Sequence, residues 1–199
     1  MTTDEIWVEH RDATKNKEDT KELVPALPTY AEQFRTMLES GMHSDVKFFV
    51  GEEKVEIPAH RVVLSARSSY FNAMLSENNS MCESRLGIIR TEQHEPAVFR
   101  RMLEFIYTNS VRDLATAPPG EVIALLMLAN EYLLDDLRKL CEKVATTIIS
   151  FDNIGRLLLL SAGHNASALR EACAEFVREH KLELAQDVNF RQDIELNPE

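Results

Sequence analysis

A chain of 199 residues with 44% hydrophobic residues is long enough for one domain with an ordinary apolar core plus an appendage. Its 33 acidic residues outweigh 22 basic ones, and the net charge of −11 argues against nucleic acid or anionic lipid as a partner. The three cysteines, Cys82, Cys141 and Cys173, are few, widely spaced and form no CxxC pair, so neither a disulfide framework nor a thiolate zinc site is indicated, and a reducing compartment fits best.

The first residues, MTTDEIWVEHRD, are charged and carry no apolar signal core, and no apolar run is long enough to span a bilayer. A cytoplasmic or nuclear location is therefore expected. Residues 1–28 are polar and charge-rich and are read as a flexible N-terminal arm, with Trp7 and Val8 the exceptions. From Tyr30 the pattern turns helical: Phe34, Met37 and Leu38 form an apolar stripe, and Gly41 is the expected stop. Val46, Phe48 and Val50 then alternate, Gly51 opens a turn, and Val55 and Ile57 return. This predicts a β-hairpin whose second strand ends at Pro58.

HRVVLSAR and SSYFNAML predict two short helices, with Ser68 or Ser69 capping the second. A polar loop, SENNSMCESRLG, follows. Its Met81 either tucks into its own domain or hooks another protein. LGIIRT is a short run suited to the sheet. Pro96 suits a first helical turn, and Phe99, Met102, Leu103 and Ile106 continue that helix as a stripe. VRDL reads as one more short strand, and ATAPPG as the strongest breaker in the chain. Val122, Leu125, Leu126, Ala129, Leu133, Leu137, Leu140 and Cys141 recur at helical spacing, with a break near Asp135-Asp136. A last helical hairpin carries Ile154, Leu157 and Leu158 on one arm and Leu169, Ala172, Cys173, Phe176 and Val177 on the other. Asp152 or Ser150 is the expected cap, and Gly163 and Asn165 form the turn. Early strands followed by helices make an α+β domain with an all-helical C-terminal extension.

No nucleophile–base constellation, GxGxxG, P-loop or HExxH is present, and the histidines are scattered. His60 reads as a structural histidine. No catalytic residue, metal ligand or cofactor is expected, and the chain is read as a non-enzymatic protein that works through its surfaces.

The stretch HSDVKFFVGEEKVEIPAHRVVLSARSSYFNAML resembles the BTB/POZ domain family. Ser44-Asp45-Val46 stands before the first strand and Ala59-His60-Arg61 after the second. Val63-Leu64-Ser65-Ala66-Arg67-Ser68 then leads to Phe71 in the family's pattern. VFRRMLEFIYTNSV, ending its helix at Tyr107-Thr108, and LLMLANEYLLDDLRKLCEKV resemble later helices of the same fold. The helical pair beyond Ser150 is similar to the 3-box, or partial BACK domain, of cullin-3 substrate adaptors of the speckle-type POZ protein group. The resemblance implies a BTB/POZ domain over 29–148, a 3-box hairpin over 149–188 and a tail over 189–199.

It also implies partners. The first is a second copy of the chain, paired through Phe34, Met37 and Leu38. The second is the cullin-3 N-terminal domain, bound by a hydrophobic-x-Glu motif at Met81 and Glu83 and by Tyr132 and Leu133. Residues alone also allow Tyr132 and Leu133 as plain core, Leu133 through its place in the stripe. Asp45 and His60-Arg61 fit either a charged corepressor groove or support of the fold. The function implied is a dimeric adaptor that brings an unknown substrate protein to a ubiquitin ligase, in the cytoplasm or nucleus. The alternative is a dimerization scaffold that binds no cullin. No MATH, kelch or ankyrin module is present to read a substrate, so the arm, the tail or a groove would serve, or the chain is part of a larger protein.

Overall fold

The computed structural model describes residues 29–76, 86–163, 166–186 and 190. The arm, Met81, Cys82, Glu83, Asn165 and the tail apart from Phe190 lie outside the described residues. Helix α1 (Tyr30–Ser40) opens at a capping box: Glu32 N–H donates to Thr29 Oγ1, and Thr29 N–H donates to the Glu32 carboxylate at 2.6 Å. Those bonds hold the Glu32 carboxyl below its ordinary range. Gly41 ends the helix at φ +62°, and a Cβ there would stand 2.7 Å from Pro58 Cγ, so the helix end can press onto the second strand only through glycine.

Strands β1 (Val46–Val50) and β2 (Val55–Ala59) form the expected antiparallel hairpin, Val46 opposite Ala59 and Val50 opposite Val55. Pro58 does not end β2 but lies inside it, opposite Lys47. The sheet order β2-β1-β3 explains this: β2 is an edge strand, where an absent N–H need not interrupt a ladder. After α2 (Arg61–Arg67) and α3 (Ser69–Leu75), strand β3 (Ile88–Thr91) pairs parallel to β1 on its other side. Ser68 caps α3, its hydroxyl accepting from Phe71 N–H. Val46, Phe48 and Val50 point to the core, and Lys47 on the other face pairs with Glu56 at 2.7 Å.

Helix α4 (Pro96–Thr108) runs through the centre, with Phe99, Met102, Leu103 and Ile106 all buried. Phe48 lies between Phe71 and Phe99, ring centroids 5.7 and 4.9 Å away, so sheet, α3 and α4 share one aromatic cluster. The expected strand at VRDL is absent. Arg112 and Asp113 form a turn, Asp113 adopts φ +53°, and a 3-10 turn at Leu114–Thr116 follows. A left-handed residue ends the extended conformation that a strand needs.

Helices α5 (Pro119–Glu131) and α6 (Asp135–Ala145) meet at an elbow over Tyr132–Leu134. Asp135 and Asp136 sit in the first turn of α6, favourably placed against its positive end. The extension contains α7 (Ile154–Gly163), α8 (Ser167–Glu179) and the short α9 (Lys181–Leu184). Helix α8 packs on both α7 and α6. The turn before α7 is held by Asn153 rather than Asp152 or the Ser150 hydroxyl. Asn153 Oδ1 accepts from Ser150 N–H, and Nδ2 donates to the Ile148 carbonyl at 2.8 Å.

Candidate functional site

Among the described residues, two open grooved surfaces carry exposed apolar side chains and share no lining residue. The first is a groove of about 600 Å³ between α1, α2 and the end of α4. Tyr30 and Phe34 enter it from α1 and Val62 from α2. Phe34 is exposed, whereas Met37 and Leu38 are partly buried against the core. Phe34 and Leu38, four residues apart, line different hollows: Leu38 lines a small one bounded by Arg35, Arg101 and Arg112. The expected face is thus borne chiefly by Phe34 and Tyr30. Val62, 74% exposed, completes it and was not singled out from sequence. The available signal was Val62-Val63 in a seven-residue helix, where only one neighbour can face the core.

Helix α1 is fixed to the domain by charge. Glu104 of α4 accepts from Arg35 Nε at 3.1 Å and from Arg112 Nε at 2.8 Å, and Arg112 Nη2 reaches Glu39 at 2.8 Å. These carboxylates raise the already high pKa of the Arg112 guanidinium.

The second surface is the α5–α6 elbow. Tyr132 and Leu133 are adjacent but opposite in placement. Tyr132 is 3% exposed: its ring stacks on Phe71 at 5.1 Å and meets Tyr70 edge-on at 5.0 Å, and its carbonyl accepts from the Ser68 hydroxyl. Burial raises the pKa of its hydroxyl, with the Glu131 charge adding to the shift. Leu133 is 61% exposed and adopts φ +53°, a conformation costing an L-residue with a Cβ roughly 1–2 kcal/mol. The helical stripe had favoured core for Leu133, but the core residue is Tyr132. It anchors the turn that turns Leu133 outward. Leu134 N–H donates back to the Ala129 carbonyl at 2.8 Å, closing the reversal.

Three grooves, of about 540, 460 and 440 Å³, converge on Glu131. Met127, also exposed, lines two of them. The Glu131 carboxylate holds His94 at 3.1 Å. The third groove is lined by Met74 and Ile89, described residues on either side of segment 77–85, together with Glu131 and Tyr132.

His60 belongs to neither surface. It is buried, with Nδ1 2.8 Å from the Tyr107 hydroxyl and Nε2 2.7 Å from the Met42 carbonyl. Asp45 Oδ1 accepts from Arg61 N–H at the start of α2, and Arg61 Nη1 donates to the Leu75 carbonyl. All three residues thus make bonds that support the fold.

Among the described residues no group of three or more His, Cys, Asp or Glu is placed to hold a metal ion, and no helix is long and apolar enough to cross a membrane. The chain is similar to a solved structure, the BTB domain of zebrafish PATZ1. It is 24% identical, covering 59% of this chain and 88% of that one, with a TM-score of 0.47. A BTB/POZ domain family model matches residues 34–149, more than half of the chain. With the three-stranded sheet and its surrounding helices in the order the sequence implied, the chain belongs to the BTB/POZ family of protein-interaction and dimerization modules.

Proposed function

We propose that the protein is a dimeric BTB adaptor that binds the N-terminal domain of cullin-3 and brings a substrate protein to it for ubiquitination, in the cytoplasm or nucleus. The observation that carries the reading is the separation of two exposed apolar surfaces with no residue in common. One copy can use its α1–α2 groove to pair with another while the elbow remains free for a different chain. A self-complementary groove gives a closed two-fold pair, and a pair of adaptors raises the effective concentration of a bivalent substrate.

In this reading Tyr30, Phe34 and Val62 form the dimer contact, with Met37 and Leu38 behind them. Leu133 is the cullin anchor, and Tyr132 acts by holding the turn. Met81 and Glu83 contribute from the segment joining α3 to β3. The groove shared by Met74, Ile89 and Glu131 supports that assignment, because the residues flanking the segment reach the elbow. A methionine suits such a contact, since its flexible side chain fills a partner pocket without strict shape demands.

The test is capture of purified cullin-3 N-terminal domain by the full chain. Leu133→Asp and the double change Met81→Asp, Glu83→Lys abolish capture while leaving helicity and dimer mass intact. Phe34→Glu with Val62→Glu yields monomers by light scattering. Failure of the wild-type chain to capture cullin-3, with dimerization through Phe34 intact, would sink the adaptor reading and leave a dimerization scaffold.

A further inference from the structure

The α1–α2 groove has two apolar walls of matching spacing. Tyr30 and Phe34, four residues apart on α1, form one, and Val62 and Ala66, four apart on α2, form the other. All four are exposed, while Ile106 and Tyr107 between them are buried. An open apolar patch of this kind marks a contact site.

The groove also has a charge sign. Arg67 is the one formally charged residue among the described residues that line it, and no carboxylate does. Its guanidinium is held by neutral acceptors: Nε donates to the Ile106 carbonyl at 3.2 Å, and Nη2 to Asn109 Oδ1 at 2.6 Å. An apolar segment with acids at its edges therefore complements the groove, and a basic one does not.

The chain carries such a segment. Residues 4–9 read DEIWVE, so that Ile6, Trp7 and Val8 stand between Asp4, Glu5 and Glu9. Residues 10–28 join it to Thr29, the N-cap of α1, and Tyr30 beside that cap already belongs to the groove wall. Nineteen residues reach at most roughly 65 Å, against roughly 16 Å for the whole of α1, so reach does not limit docking. A segment tethered this closely is present at an effective concentration on the order of millimolar.

We infer that Ile6, Trp7 and Val8 seat in the α1–α2 groove of their own chain, with a flanking acid on Arg67, and compete there with a second copy. The inference rests on the groove being the pairing contact, as proposed above, and adds what controls pairing: a copy pairs only once its own arm has left. An arm seated in roughly two-thirds of free copies weakens pairing on the order of tenfold, because both copies must be vacated.

Trp7 is the chain's one tryptophan, so indole emission from the full chain reports on this segment alone. It is recorded at a concentration where light scattering gives monomers, beside a free peptide of residues 1–12. Emission to the blue of the peptide, with acrylamide quenching reduced several-fold, is expected. Phe34→Glu with Val62→Glu should return both to the peptide's values, and circular dichroism checks that this variant keeps its helices. The triple change Asp4→Lys, Glu5→Lys, Glu9→Lys alters the arm alone and should act in the same direction. Pairing is then followed by dilution, where Trp7→Ser is expected to tighten the dimer on the order of tenfold.

Peptide-like emission in the wild type, or blue emission that ignores the groove variant, would overturn the inference. So would blue emission seen only where dimers form, since it would put the arm on the other copy. A dimer unchanged or weakened by Trp7→Ser would also overturn it while leaving the pairing contact standing. The expected emission changes in a chain that never pairs would instead sink the pairing contact, and the competition with it, while supporting the arm's seat.

Discussion

The hydroxyl of Tyr107 lies 2.8 Å from both the backbone nitrogen and Nδ1 of His60. Because His60 Nε2 faces the Met42 carbonyl, the proton is assigned to Nε2 and Nδ1 is the acceptor. Tyr107 therefore donates to the ring and accepts from the backbone, tying α4 to the junction of β2 and α2. Burial raises the pKa of this hydroxyl and keeps it neutral in the fold. Tyr107→Phe leaves the His60 backbone N–H and Nδ1 without their partner and is expected to cost about 1–3 kcal/mol, lowering the melting temperature by several degrees. An unchanged urea midpoint would show that water or a shifted ring replaces the bond.

The buried thiols set a limit on the alkaline side. Burial pushes Cys141 up to about 12, helped by the neighbouring Glu142 carboxylate, and burial alone pushes Cys173 up to about 11. In the unfolded chain both ionise near about 8.5. A group whose pKa is raised by folding contributes its stability below the unfolded value and loses it as pH climbs toward the folded value. Urea midpoints are therefore expected to fall between pH 9 and 11, and to fall less in the double variant Cys141→Ala, Cys173→Ala. Parallel pH curves for the two proteins would exclude the thiols as the cause.

Arg35 and Glu104 test how α1 is held. Both side chains are largely shielded, so the pair is screened less than a surface ion pair. A double-mutant cycle of Arg35→Ala and Glu104→Gln is expected to give a coupling of about 1 kcal/mol that survives high salt. Additive losses would mean that the Arg35–Glu104 pair adds nothing to the hold that apolar packing and the Glu39–Arg112 pair give α1.

The core was legible where one period ran unbroken. Val46, Phe48 and Val50 alternated as strand residues must, and Phe99, Met102, Leu103 and Ile106 kept one helical face; both sets are buried. Pro58 was misread because a sequence does not say which strand lies at the edge of a sheet. VRDL was misread because its β-prone start gave no sign that Asp113 would turn left-handed. The elbow was the hardest part. Ala129, Leu133 and Leu137 keep i, i+4 spacing across a point where the chain leaves the helix, so periodicity placed Leu133 in the core and could not show Tyr132 taking its place.

That exchange makes the last prediction, at Leu133. Its φ of +53° suits glycine, and its side chain is mostly in solvent, so Leu133→Gly relieves backbone strain while giving up little burial. Strain relief of roughly 1–2 kcal/mol, offset by the extra freedom glycine has in the unfolded chain, leaves an expected gain of about 0.5–1 kcal/mol. The same change removes the apolar anchor from the elbow, so capture of the cullin-3 domain should fall as stability rises. A residue serving only the fold would move both quantities in one direction. Urea unfolding and the capture assay on a single preparation distinguish the two cases, and a glycine variant that is less stable than the wild type would show that Leu133 is held in place by packing rather than kept for a partner.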